Sequence, residues 1–135
     1  MKIEVRYLSK SGNTAKVAGA IASAAGVAAK PIPEPVSADA DLLFIGGAVY
    51  AFGIDEQLRQ FIAELPQGIK RAAVFSTAAV VRSAFPRIRA LLAERGIAVS
   101  DEDFHCRGEF KFMHKGRPNA DDLGKAAEFA KRLSQ

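Results

Sequence analysis

The run Lys2-Ile3-Glu4-Val5-Arg6-Tyr7-Leu8, followed at once by Ser9-Lys10-Ser11-Gly12-Asn13-Thr14, decides how the chain starts to fold. Ile3, Val5 and Tyr7 alternate with Lys2, Glu4 and Arg6, which is the period of a strand. After the polar turn, Asn13–Ala25 places Val17, Ala18, Ile21, Ala22 and Ala25 on one face of a helix, and Gly26 closes it. A strand that passes through a short polar loop straight into a helix opens a βα unit.

Working outward, the alternation continues. Val27–Ile32 is a short strand candidate. Asp41–Ile45 is an apolar run of the kind buried on both faces of a sheet. Asp55–Leu65 is a helix with Leu58, Phe61, Ile62 and Leu65 as its stripe, stopped by Pro66 and Gly68. Ala72–Ser76 is a second buried strand. Ser83–Arg95 is a helix with Phe85, Ile88, Leu91 and Leu92 inward. Ile97–Val99 begins a last strand that resumes around Phe104–Cys106. Asn119, with Asp122 three residues on, opens a final helix in a capping-box arrangement. Short buried strands joined by helices give a parallel sheet covered on both faces. The exception is Pro31–Ala40, where Pro31, Pro33 and Pro35 leave little room for a helix, so an irregular crossover or a single helical turn is expected in its place. About ten extended residues span roughly 30 Å, enough for an irregular crossover.

Composition sets the limits. The chain has 135 residues, 49% of them apolar and 25% charged, which suits a single globular domain over 1–135. No apolar run approaches the roughly 20 residues of a membrane span, and the N-terminus lacks a secretory pattern. The single cysteine, Cys106, excludes an intrachain disulfide, and no Cys/His spacing suggests zinc. The expected compartment is the cytoplasm. The net charge of +4 is concentrated in residues 66–100, where Lys70, Arg71, Arg82, Arg87, Arg89 and Arg95 face one acid. Such a cluster reads as a solvated surface or as a dock for an acidic partner. No nucleic-acid motif accompanies it, so neither nucleic acid nor membrane is expected as a partner.

In an open parallel sheet, ligands lie beyond the carboxyl ends of the strands. The loop Ser9–Thr14 is the first such place. Gly12 permits a tight turn, while Ser9, Ser11 and Thr14 offer hydroxyls. The N–H groups from Gly12 to Ala15 open a helix, where the dipole favours an anion. The residues alone leave open a plain polar turn capped by Asn13. The spacing is neither that of a Walker loop nor Gly-x-Gly-x-x-Gly.

Directly after a first strand, Ser9-Lys10-Ser11-Gly12-Asn13-Thr14 resembles the phosphate loop of the flavodoxins, Ser/Thr-x-Ser/Thr-Gly-Asn/Thr-Thr. Asp41–Tyr50, with Phe52-Gly53 and the helix Leu58–Leu65, is similar to their third strand and first flavin-flanking loop. Phe104–Asn119 resembles the tail of small flavodoxin-domain proteins. The resemblance implies an α/β flavodoxin-like three-layer sandwich, with a five-stranded parallel sheet in the order 2-1-3-4-5 and helices on both faces. It implies FMN as cofactor, its phosphate held by Ser9, Lys10, Ser11, Gly12, Asn13 and Thr14.

The same resemblance sets Ala48, Val49, Tyr50, Ala51, Phe52 and Gly53 beside the flavin ring. Tyr50 is the first stacking candidate and Phe52 the second. Gly53 permits a backbone flip, and the resemblance implies that a carbonyl of this loop accepts a hydrogen bond from the flavin N5–H after one-electron reduction. Ser76, Thr77 and Ala78 take the pyrimidine edge. The family has glycines or an aromatic in that third loop, and Ala78–Val81 has neither. His105 and His114 have no catalytic partner at motif spacing. Phe110 and Phe112 form a lip over the flavin, a partner-docking edge, or loop packing.

Three functions follow. The first is an FMN-binding electron carrier working between a reductase and an acceptor, with redox partner proteins that carry an acidic docking face. Flavodoxins are typically acidic and this chain is basic, which implies a less negative reduction potential. The alternative is an FMN-dependent NAD(P)H:quinone-type oxidoreductase. The third is a flavin-less partner-binding module. A phosphoacceptor receiver is disfavoured, because Ser9-Lys10-Ser11 and Gly46-Gly47 stand where its acids belong.

Overall fold

The computed structural model describes residues 1–10, 12–50, 53–78, 83–108 and 116–135. The strands are β1 (Ile3–Tyr7), β2 (Ala29–Pro31), β3 (Leu42–Tyr50), β4 (Gly53–Ile54), β5 (Arg71–Ala78), β6 (Ala98–Val99) and β7 (Phe104–Arg107). The helices are α1 (Asn13–Ala25), α2 (Glu56–Ala63), α3 (Phe85–Glu94) and α4 (Ala120–Leu133).

The sheet runs β2-β1-β3-β5, and its last position is filled by two pieces. β6 pairs with the start of β5 at Arg71 and Ala72, and β7 pairs with its end from Phe75 to Ala78. All of these pairings are parallel. The expected order 2-1-3-4-5 is therefore present, with its fifth strand interrupted at Ser100–Asp103. β4 lies off this path, antiparallel to the end of β3.

The amphipathic helices form the outer layers. Leu43, Ile45 and Val74 point to the side of α2 and α3, meeting Leu58, Ile62, Ile88 and Leu92. Val5, Phe44 and Phe75 point to the other side, against Val17 and Ile21 of α1 and Phe129 of α4. The rings of Phe44 and Phe129 meet edge-on at 5.8 Å. Successive strand residues thus feed two separate apolar layers, the reason these strands read as continuous apolar runs.

Among the described residues, no helix covers β1 on the α2 side. The chain crosses there as the irregular segment the three prolines imply, and Arg6 fills the gap beneath it. Arg6 is 2% exposed. Its Nε donates to the Glu34 carbonyl at 2.9 Å and its guanidinium to the Pro35 carbonyl at 2.5 Å. Glu4 balances the charge, bonding Arg6 through one oxygen and the Ser37 N–H through the other. The strand's alternation suggested a polar face for Arg6. That face is covered, and the guanidinium supplies hydrogen bonds to carbonyls that a crossover helix would have satisfied internally.

Two elements extend further than their sequence suggested. The strand expected over Asp41–Ile45 continues to Tyr50, and the one expected over Ala72–Ser76 continues to Ala78. Gly46 and Gly47 look like the start of a loop but are strand residues. A Cβ on Gly46 would lie 2.3 Å from the Phe75 ring, and one on Gly47 would lie 2.7 Å from Leu58. Glycine is needed there for close approach of neighbouring elements.

Candidate cofactor-binding site

The carboxyl ends of β1, β3, β5 and β7 converge with the N-terminus of α1. Gly12 precedes that helix at φ 91°, a left-handed conformation natural to glycine. Its N–H donates to Ser9 Oγ at 3.1 Å, which folds the loop on itself and leaves the Ser9 hydroxyl proton available as a donor. α1 has no side-chain cap, so Asn13 does not close it as the sequence allowed. By contrast, Asp55 caps α2 and Asn119 caps α4 in a reciprocal box with Asp122. The first-turn N–H groups of any helix lack intrahelical acceptors, and the cap position of α1, Gly12, offers no side-chain oxygen to fill that role. A Cβ on Gly12 would meet nothing within 4 Å, so the space over the turn is open. An uncapped helix start, a left-handed glycine with open space above it and a serine hydroxyl donor fit a phosphate.

Two elements hold this turn. Lys10 Nζ lies 2.6 Å from Asp55 Oδ2, linking the loop to α2. Lys10, expected at the phosphate, is thus engaged with a carboxylate, and its ammonium keeps the Asp55 carboxyl below the usual range. On the other side, Gly108 follows β7 and packs against Asn13, where a Cβ would lie 2.8 Å from the Asn13 amide nitrogen. The Gly108 N–H donates to the Ala78 carbonyl at 3.2 Å. Sequence reasoning missed Gly108 and Asp55. A glycine directly after a strand and an acid three residues before a helical stripe were the available signals.

Of the remaining expected residues, Thr14 and Thr77 are brought together. Their hydroxyl oxygens lie 2.9 Å apart, in the layer between β5 and α1. Ser76 faces the opposite layer and is fully buried; its Oγ accepts from the Ala84 N–H at 3.3 Å at the start of α3. Ser76, Thr77 and Ala78 are strand residues and not loop residues. Ala48 also lies within β3, as do Val49 and Tyr50, which pair with Ile54 and Gly53 of β4. The side chains of Val49 and Tyr50 lie outside the described residues, as do Ser11, Ala51, Phe52, Ala79–Arg82, Phe110, Phe112 and His114.

The cationic cluster of the sequence does not form one face. Lys70 pairs with Asp41 and Arg71 donates to the Leu133 carbonyl, both at the amino ends of the strands. Arg95, at the end of α3, donates to the Leu65 carbonyl on that same end. Arg89 pairs with Asp101. Nearer the loop cluster, Arg117 grips Asp122 through two hydrogen bonds of 2.6 and 2.7 Å. Cys106 is a half-buried residue of β7; burial, with the Asp122 charge, pushes its thiol up to about 12. His105 Nδ1 lies 3.1 Å from Asp103 Oδ2. Among the described residues no His/Cys/Asp/Glu group could hold a metal ion, and no helix is long and apolar enough to cross a membrane.

These features define a flavodoxin-like fold. A solved flavodoxin from the domain Archaea is 24% identical, with 99% of this chain and 96% of that one aligned at a TM-score of 0.78. An NADH:FMN oxidoreductase in its apo form is 14% identical, over 99% of this chain and 89% of the other, at a TM-score of 0.71. No family model matches the chain. An uncharacterized protein of Methanocaldococcus jannaschii, MJ0298, is 31% identical over 103 residues, 69% of each chain. The chain belongs to the family of that archaeal protein.

Proposed function

We propose that the chain binds FMN and carries electrons between a reductase and an acceptor. The observation that carries this reading is the start of α1: an uncapped helix N-terminus entered through left-handed Gly12, with the Ser9 hydroxyl alongside. Ser9, Ser11, Gly12, Asn13 and Thr14 hold the phosphate. Lys10 holds the loop through Asp55 and adds positive charge nearby. The end of β3 with β4, which brings Ala48, Val49, Tyr50 and Gly53 to the same end of the sheet, lies along one side of the ring, with Ala51 and Phe52 proposed to complete that side. The end of β5 lies along the other. FMN supplies the one- and two-electron chemistry, and the protein supplies binding and orientation.

The chain's net charge of +4 supports an acidic docking face on the redox partner. The partner reaction then slows as salt rises. The test of the whole reading is the visible spectrum of the purified protein before and after FMN addition. Flavin absorption that is perturbed on binding and restored to that of free FMN on denaturation supports it. A folded protein that leaves added FMN unperturbed favours a flavin-less partner-binding module.

The likeness to the NADH:FMN oxidoreductase favours a second reading, an FMN-dependent NAD(P)H:quinone-type oxidoreductase. Steady oxidation of NADH or NADPH by the holoprotein without a protein partner would select it.

A further inference from the structure

Thr14 and Thr77 are 63 residues apart and their side chains meet in the interior, 1% and 2% exposed. Their oxygens lie 2.9 Å apart, and either could be the donor. Two hydroxyls carry two protons, and the contact uses one. The other proton needs an acceptor, and its position depends on which threonine donates.

Thr77 shares its face of β5 with Ala73 and Phe75, so its side chain points into the apolar layer beneath α1 and α4. Among the described residues its hydroxyl has no bond besides that to Thr14. If Thr14 donated, the Thr77 proton would be stranded in that layer, and a buried unmatched donor is costly. If Thr77 donates, the proton left over belongs to Thr14. Thr14 is the second residue of α1, at the uncapped end where an anion fits.

We infer that Thr77 is a positioning residue for the phosphate loop: it donates to Thr14 Oγ1 and so turns the Thr14 proton toward the bound phosphate. This rests on the FMN reading and assigns Thr77 away from the pyrimidine edge of the ring. Thr77 also ties the start of α1 to β5, so the phosphate loop and the strand that ends beside the ring share one buried contact.

The test compares FMN with riboflavin, which carries the same ring and no phosphate. Dissociation constants are measured by flavin fluorescence quenching for the wild-type chain, Thr77→Val, Thr77→Ala and Thr77→Ser. Thr77→Val is expected to weaken FMN about three- to tenfold, leave riboflavin unchanged, and be rescued by Thr77→Ser. Thr77→Ala, smaller and equally without a hydroxyl, gives the same readout if the valine variant does not fold. An equal loss for both flavins places Thr77 at the ring and overturns the inference, as does unchanged FMN affinity. A folded wild-type chain that does not bind FMN refutes the parent reading instead.

Discussion

Lys10 and Asp55 form an ion pair of 2.6 Å that ties the first polar loop to the first turn of α2. Asp55 also accepts from the Gln57 N–H at 2.8 Å, so one carboxylate serves both as helix cap and as anchor. The two roles differ in weight. Lys10 is 58% exposed, and a pair of that kind contributes under about 1 kcal/mol. A lost cap costs about 0.5–2 kcal/mol. Asp55→Ala is therefore expected to lower unfolding free energy more than Lys10→Met, as measured by urea denaturation. Equal losses would contradict the cap as the larger contribution.

Glycine substitutions should separate by location. Gly46→Ala puts a methyl group 2.3 Å from the Phe75 ring and 2.4 Å from its carbonyl oxygen, between two central strands that cannot part. A loss of about 3 kcal/mol or more is expected. Gly124→Ala, on α4 with nothing within 4 Å of the new carbon, is expected to stabilise by about 0.5–1 kcal/mol. Thermal unfolding of both variants checks the pair. A tolerated Gly46→Ala would mean that β3 and β5 are less closely packed than described.

Arg6 holds the helix-free crossover through the Glu34 and Pro35 carbonyls and the Glu4 carboxylate. Arg6→Met keeps much of the volume and removes every one of those donors. The variant is expected to lose about 2–4 kcal/mol, because the Glu4 charge stays behind without its cation and the carbonyls without their guanidinium donors. Hydrogen exchange at the Ser37 amide, which bonds to Glu4, should accelerate well before that of the central strands. Unchanged exchange at Ser37 would show that the crossover is held by other contacts.

Asp122 accepts from Arg117 and from the Asn119 N–H, and these bonds hold its carboxyl below the ordinary aspartate value of 3.8. A depressed folded value means the unfolded chain takes up the proton first. The contribution is present above about pH 4 and is lost as the pH falls through the folded value. Asp122→Asn should cost about 1–2 kcal/mol at pH 7. Its deficit relative to the wild type should shrink below pH 4. A deficit that stays constant from pH 7 to pH 2 would contradict the assignment.

Much of the architecture was legible because buried strands and amphipathic helices carry different periods. The Asn119–Asp122 box, the split last strand and the proline-rich crossover were all visible in the residues. The misreadings have physical causes. Gly46 and Gly47 carry the composition of a loop, yet they sit in β3 because Phe75 and Leu58 leave no room for side chains. Arg6 occupies an alternating polar position, and only the missing helix above it explains its burial. The cations of residues 66–100 are neighbours in sequence, yet Lys70, Arg71 and Arg95 are held at the amino ends of the strands while Arg89 pairs with Asp101 beside the break in the last strand. At the candidate site, the turn at Gly12 was readable from its glycine and hydroxyls. The partnership of Thr14 with Thr77 was not, because no local pattern reports a contact made across the sheet.

The central claim is that the N-terminus of α1 holds the phosphate of FMN. The most direct measurement is the affinity of the wild-type chain for FMN relative to riboflavin, titrated by fluorescence quenching with and without added inorganic phosphate. The account predicts FMN tighter by about tenfold or more, with phosphate weakening FMN and leaving riboflavin untouched. Equal affinities for the two flavins, insensitive to phosphate, would contradict it.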